Sequence, residues 1–159
     1  MKLYDLLVNI FFLDVEPKKC AEYHVDSHVV KIILEACQMM ATAYPKGGAP
    51  YKHTHANHPM AVWVRSSLDN FVWTLDYCYA LCSEYTYRYG KRHKSQDVAD
   101  WFADNLPNID DIGFIDPPRC FGEIKASKSD CIVKDYQDYY RVGKTHLFKW
   151  SKREKPSWL

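Results

Sequence analysis

The sequence has no long hydrophobic run, no CxxC pair and no alternating apolar pattern of the β-strand type. The apolar segment within residues 1–17 is too short and too interrupted by acidic residues for a signal peptide or a membrane span. None of the six cysteines belongs to a CxxC pair, and Cys37, Cys78 and Cys82 lie within apolar helical patterns. We therefore expect a soluble protein of the cytoplasm, or of the host-cell interior if the protein is viral, whose cysteines are small buried side chains.

Helical periodicity is what the sequence does contain, and it predicts a single all-α domain over residues 1–159. We expect a compact bundle of about four helices, over residues 17–43, 59–89, 95–105 and 127–150. The first helix carries a break signal near Asp26 and Ser27, and Gly90 is a natural C-cap for the second. Prolines and glycines predict a long surface loop at 106–123, a kind of segment that often carries function. Residues 1–8 are expected to be an extension, either flexible or not native, and residues 150–159 a basic aromatic tail.

Charge is distributed unevenly along this chain, although its net charge is only +1. Residues 96–118 contain aspartates but no lysine or arginine, whereas residues 141–159 are rich in basic residues and have Glu154 as their one acid. A second basic cluster, interleaved with tyrosines, spans residues 85–94. Interleaved basic and aromatic side chains are typical of surfaces that neutralise a phosphate backbone and stack bases, so nucleic acid is the favoured partner. Ordinary surface charge, including a favourable helix C-terminus, is the alternative.

The segment HVDSHVVKIILEACQMMATAY, residues 24–44, combines a largely apolar helix with one narrow polar stripe. At about 100° per residue, the polar side chains fall within an arc of about 80°; they are His24, His28, Lys31, Glu35 and Gln38. One interpretation is the solvent-exposed face of an otherwise buried helix, with Lys31 and Glu35 as a surface pair. The other is a catalytic pocket, in which desolvation makes the Lys31 amine a nucleophile able to form a Schiff base.

Asp26 lies off this stripe and also has two interpretations. It is either the N-cap of the helix, with Ser27 as a rival for that position, or a catalytic carboxylate. As a cap it needs only backbone amides, whereas a catalytic Asp26 has to approach His28 or the sugar of a substrate.

The histidines raise a competing hypothesis of a metal-dependent nuclease or hydrolase. Two of them have the i,i+4 spacing that places imidazoles on one helical face, and three more crowd the following loop. The candidate metal ligands are His24, His28, His53, His55 and His58. No HExxH motif and no cysteine framework accompanies them.

Several short segments are arranged along the chain as in a known family. They are AEYH at 21–24, NHP at 57–59, EYTYRYG at 84–90 and KPSW at 155–158, with DSHVVK at 26–31 and LEACQ at 34–38 on the first main helix. Together these residues resemble the pyrimidine-dimer DNA glycosylase family typified by phage endonuclease V, and a set of short, mostly viral relatives.

The resemblance implies a compact helical protein that binds damaged duplex DNA, splits the glycosidic bond through an amine nucleophile and can then cleave the backbone by elimination. It also implies an essential carboxylate on the first helix, for which Asp26 is the nearest match because Val25 occupies the family's position. The family's nucleophile is an α-amine exposed by removal of the initiator methionine, which Lys2 would block here. There are three alternatives: Met1 itself supplies the amine, Lys31 takes over as the nucleophile, or the chemistry has been lost. We predict that Lys31 is the nucleophile.

The predicted function is a DNA-repair glycosylase, with or without lyase activity, that acts without a cofactor on a damaged or modified pyrimidine in duplex DNA. The predicted catalytic residues are Asp26, His28, Lys31 and Glu35. The predicted DNA contacts are His24, Gln38, Arg65, Asn70, Arg88, Tyr89, Lys91, Lys144, Lys149 and Trp150. A non-catalytic viral DNA-binding protein is a second alternative. The enzymatic hypothesis requires that the polar stripe face a DNA-binding pocket and not bulk water.

Overall fold

A computed structural model of the chain describes residues 8–159, and this part contains six α-helices and no strand. The helices are α1 (Pro17–Tyr23), α2 (Asp26–Ala41), α3 (Pro59–Arg65), α4 (Leu68–Tyr89), α5 (Gln96–Asp104) and α6 (Ile132–Gly143), followed by a 3₁₀ turn at Thr145–Leu147. The all-α prediction is confirmed. The predicted number of about four helices is wrong, because the first two predicted helices each divide into a short and a long helix.

The break between α1 and α2 lies at His24 and Val25, which are both extended. Distant residues satisfy the backbone groups that the break releases: the Val25 N–H donates to the Tyr140 hydroxyl at 3.1 Å, and the His24 carbonyl accepts from Arg88 at 2.7 Å. The break between α3 and α4 is similar, since Ser67 is extended and the Leu68 N–H donates to the Asp110 carbonyl at 3.0 Å. Tertiary hydrogen bonds therefore replace the helical ones that each break removes.

Helix α6 is shorter than the predicted helix at 127–150, because neither flank is α-helical and each is held by hydrogen bonds outside a helix. Asp135 accepts from the backbone and hydroxyl of Ser129 before the helix, and after it the Lys149 carbonyl accepts from the Asp26 N–H at 2.8 Å. A Cβ at Gly143 would lie 2.6 Å from the Cδ1 atom of Ile124, so the Ile124 side chain of the 118–128 segment packs directly on this glycine of α6.

Helices α2 and α4 pack against each other at the centre of one hydrophobic cluster, which the other helices and the N-terminal segment 8–13 surround. Cys20, Cys37, Cys78 and Cys82 are buried with free thiols, as predicted, whereas Cys120 is half-buried and Cys131 exposed. Gly90 ends α4 in the left-handed conformation that was expected of it. Of the predicted extension at 1–8, only Val8 lies within the described residues, and it is buried.

No helix in residues 8–159 has the length and apolar character that crossing a membrane would require.

Candidate active-site cleft

A surface cleft of about 820 Å³ runs along α2, a size within the ordinary range for small-molecule and nucleotide pockets. One wall is the face of α2 that carries His28, Lys31 and Glu35. The opposite wall is the coil at 118–128, and the floor includes Phe11 and Tyr139. We refer to this feature as the α2 cleft.

Lys31 and Glu35 lie one helical turn apart on α2 and both face the cleft. Lys31 is exposed, whereas Glu35 is 9% exposed. Burial raises the pKa of Glu35 from 4.5 to about 7, and the positive charges of Lys31 and Lys144 limit that rise. A carboxyl group that titrates near neutral pH next to an amine is suited to proton transfer.

His28 is held rigidly at the edge of the cleft. Its ring stacks on Phe11 with 4.3 Å between the centroids and an interplanar angle of 8°, and its Nδ1 atom lies 2.7 Å from the Tyr140 hydroxyl. Burial lowers the pKa of His28 well below its usual value, and the positive groups around it add to the effect. His28 is therefore neutral over the physiological pH range.

Cations predominate around the cleft. Lys144 is 6% exposed, with Nζ 5.6 Å from the ring centre of Phe11 and 5.4 Å from that of Tyr139. The other basic lining residues are Arg119, Lys125, Lys128, His58 and His146. Arg119 is paired with Asp135 at 2.7 Å. The lysines of the lining are Lys31, Lys125, Lys128 and Lys144. Glu35 and Glu123 are the carboxylates of the lining, and an anionic ligand is therefore favoured.

Asp26 does not line this cleft but lies in a separate buried network. It accepts from the Arg88 guanidinium at 3.0 Å and from the backbone and hydroxyl of Ser151 at 2.8 and 2.6 Å. Burial alone would raise the pKa of Asp26, but these hydrogen bonds outweigh burial and lower it. Arg88 also pairs with Glu84 at 2.9 Å, and Arg153 binds the same carboxylate. The predicted catalytic role of Asp26 and the predicted phosphate contact of Arg88 find no support in this position.

His24 is fully buried behind the cleft, and both of its ring nitrogens are engaged. Nδ1 lies 2.6 Å from the Cys20 carbonyl and Nε2 lies 2.7 Å from the Tyr77 hydroxyl. In the loop, His53 binds the Tyr44 carbonyl and His58 caps α3. Within residues 8–159, no three His, Cys, Asp or Glu side chains are grouped so that they could hold a metal ion. The geometry therefore does not favour the hypothesis of a histidine metal site.

The remaining predicted DNA contacts are scattered. Arg65 donates to the Ala56 carbonyl and to the Thr42 hydroxyl. Asn70 is buried, donates to the Trp63 carbonyl and accepts from the Ile115 N–H. Trp150 donates to the Tyr23 carbonyl, and Tyr89 donates to the Asp26 carbonyl. Gln38 is half-buried outside the cleft lining, while Lys91 and Lys149 are exposed away from it. Of the predicted contacts, only Lys144 lines the cleft together with His28, Lys31 and Glu35.

Sequence reasoning missed the residues that form the opposite wall and floor. Phe11, Phe121, Lys125, Lys128 and Tyr139 all line the cleft. The predicted functional loop at 106–123 was a partial signal, since the wall at 118–128 overlaps its end. The lysines of that wall carry no periodic pattern that would have pointed to the cleft.

No family model, curated protein or solved structure matches this chain. The resemblance to pyrimidine-dimer glycosylases therefore stays a prediction, and function is inferred from the geometry of the α2 cleft.

Proposed function

We propose that the α2 cleft is the active site of a DNA glycosylase with associated lyase activity, which removes a damaged or modified pyrimidine from duplex DNA. The observation that carries this proposal is the presence of Lys31 and Glu35, one turn apart, in a single cleft whose other charged groups are mainly cationic. An amine, a carboxyl group that titrates near neutrality and a cationic rim are the groups that amine-based glycosidic cleavage of a polyanion requires.

Three properties of the cleft favour a nucleotide as the ligand. Its volume of about 820 Å³ is sufficient for one extruded nucleotide. Phe11, Phe121 and Tyr139, each 4% exposed, give part of the lining an aromatic character. The lysines at 125, 128 and 144 provide positive charge for the flanking phosphates.

The chemistry begins with proton transfer from the Lys31 ammonium to the Glu35 carboxylate. The free amine attacks C1′ of the deoxyribose, and the bond from C1′ to the base breaks with its electron pair leaving on the base, which takes up the proton held by Glu35. Nζ then loses a second proton, the C1′–O4′ bond opens with its electron pair leaving on O4′, which takes up that proton, and an iminium links Nζ to C1′. Loss of a proton from C2′ then allows the 3′ C–O bond to break, which releases the strand with a 5′ phosphate. Water finally hydrolyses the iminium and frees Lys31.

The direct test is turnover on labelled duplexes that contain one thymine dimer, one oxidised pyrimidine or one abasic site. We expect base release or strand cleavage on at least one of these duplexes and none on the undamaged duplex. Lys125→Glu/Lys128→Glu is expected to weaken binding in a salt-dependent way by at least tenfold. Salt-dependent binding without turnover on any duplex would contradict the proposal and favour a non-catalytic DNA-binding protein.

Glu35→Gln is expected to slow base release by about 10² to 10⁴-fold, because the amide cannot accept the proton of Lys31. The wild-type rate should rise with pH until about 7 and then level off, since the carboxylate is the active form. The variant should lose this rise. Single-turnover rates between about pH 5 and pH 9 test both expectations, and a variant that keeps the pH dependence would exclude Glu35 as the base.

Unfolding measurements separate this catalytic effect from a structural one. Because the pKa of Glu35 is raised to about 7 in the folded protein, its favourable contribution is complete below pH 4.5 and is lost as the pH rises through about 7. Glutamine does not ionise, so Glu35→Gln should be more stable than the wild type above pH 7, by up to about 3 kcal/mol. Loss of activity with unchanged or increased stability would therefore indicate chemistry and not misfolding.

A further inference from the structure

Two histidines near the α1–α2 junction, His24 at the end of α1 and His28 in the first turn of α2, differ in which ring nitrogen donates a hydrogen bond. The Cys20 carbonyl can only accept, so His24 carries its proton on Nδ1 and accepts from Tyr77 at Nε2. His24 is thus a neutral side chain whose two nitrogens are both used inside the protein, and burial lowers its pKa to about 3. Neither ring nitrogen of His24 is therefore available to a ligand.

His28 differs because the hydroxyl of its partner, Tyr140, already accepts a hydrogen bond from another residue. The Tyr140 oxygen accepts from the Val25 N–H at 3.1 Å, and its own proton needs an acceptor because the side chain is fully buried. Among residues 8–159, the acceptor in reach is Nδ1 of His28 at 2.7 Å. If His28 instead donated from Nδ1, the Tyr140 proton would be left buried without a partner, which is costly. Nδ1 is therefore the acceptor, and the ring proton lies on Nε2.

We propose that Tyr140 is a positioning residue that fixes His28 as the neutral Nε2–H tautomer, so that the α2 cleft presents one uncharged hydrogen-bond donor to a carbonyl oxygen of the bound base. The assignment of the base as ligand rests on the proposed function, whereas the tautomer follows from the contacts alone. No described residue bonds to Nε2, and His28 lines the cleft, so this nitrogen is the one available to a ligand.

An uncharged donor is sufficient for this task. The departing base gathers negative charge on its carbonyl oxygens, and a fixed N–H directed at such an oxygen stabilises that charge. In the proposed function, the lysines at 125, 128 and 144 provide the positive charge for the phosphates. The titratable groups that face His28 are His24, Lys31, Lys144 and His146. Burial is the main reason why a second proton on the His28 ring is disfavoured, and the positive charges of Lys31 and Lys144 add to it.

The tautomer can be read directly from ¹⁵N-detected spectra of histidine-labelled wild-type protein at neutral pH. His28 should show a protonated Nε2 and an unprotonated Nδ1, and His24 should show the reverse. Tyr140→Phe should reduce the tautomer ratio of His28 by roughly tenfold, which is what loss of one neutral hydrogen bond produces. Tyr77→Phe is the matched control, since Tyr77 is equally buried and contacts His24 alone of the two; it should leave His28 unchanged.

A charged His28 or an Nδ1–H tautomer in the wild-type spectrum would overturn the proposal without any need for a variant to fold. Thymidine 5′-monophosphate should shift the Nε2–H resonance of His28, and the absence of a shift at saturation would overturn the assignment to a base carbonyl. In the catalytic assay, Tyr140→Phe should lower kcat about tenfold with little change in KM, and Tyr77→Phe should change neither. If His28 shows the expected tautomer but the protein has no turnover on any duplex, the positioning role of Tyr140 would be supported and the proposed function contradicted.

Discussion

Lys31→Ala is expected to abolish the covalent adduct that borohydride traps between the protein and duplex DNA containing a thymine dimer or an abasic site. Borohydride reduces the iminium between Nζ and C1′, and without the amine no iminium forms at this position. We expect adduct formation to fall by roughly 10³-fold or more, as is usual when a covalent nucleophile is removed. Gel mobility and mass spectrometry of the trapped complex measure the yield and identify the attached peptide.

The effect on folding should be small, because Lys31 is exposed on α2 and exposed substitutions usually change stability by less than about 0.5 kcal/mol. Lys134→Ala is a matched control, since Lys134 is also an exposed helical lysine but lies outside the cleft lining; its adduct yield should equal that of the wild type. An adduct of normal yield in Lys31→Ala would assign the attack to another amine. Peptide mapping would then distinguish Lys144 from the α-amine of Met1, which lies outside the described residues.

The part of this site that could be predicted from the sequence is the part that depends on local helical geometry. His28, Lys31 and Glu35 recur at three- and four-residue spacing, so any continuous helix through residues 26–41 places them on one face. That prediction needed no knowledge of the rest of the chain. The same periodicity extended to His24 fails, because the helix breaks at His24 and Val25 and the ring turns into the core.

The remainder depends on contacts between distant parts of the chain. The break before α2 is stabilised by Tyr140 and Arg88, which lie 115 residues from Val25 and 64 residues from His24, respectively. The second wall of the cleft is irregular coil at 118–128, whose side chains have no period to predict their direction. Arg88 illustrates the same limit: basic residues interleaved with tyrosines indicate a DNA surface, but burial among carboxylates gives this arginine a different partner.

Arg88→Ala is expected to destabilise the protein by about 3 to 5 kcal/mol, because it leaves the buried carboxylate of Asp26 without its cation and leaves Glu84 with Arg153 alone. The Arg88 side chain is fully buried, and it binds Asp26 at 3.0 Å and Glu84 at 2.9 Å. It also satisfies the carbonyls of Glu22 and His24, which the end of α1 leaves without helical partners. Urea unfolding followed by circular dichroism measures the loss.

Arg92→Ala tests whether the effect belongs to this buried network or to basic residues of the segment in general. Arg92 lies four residues further on and pairs with Asp97 and Asp100, but half of its side chain is exposed, so its loss should cost about 1 kcal/mol or less.

If Arg88→Ala does not fold well enough to be measured, Ser151→Ala removes a single donor to Asp26 and should cost about 1 to 2 kcal/mol. An Arg88→Ala protein of normal stability with weakened DNA binding would contradict the structural role and restore the phosphate contact that the sequence predicts. Insensitivity of the wild-type stability to salt would agree with a network shielded from solvent, because screening acts mainly on exposed pairs.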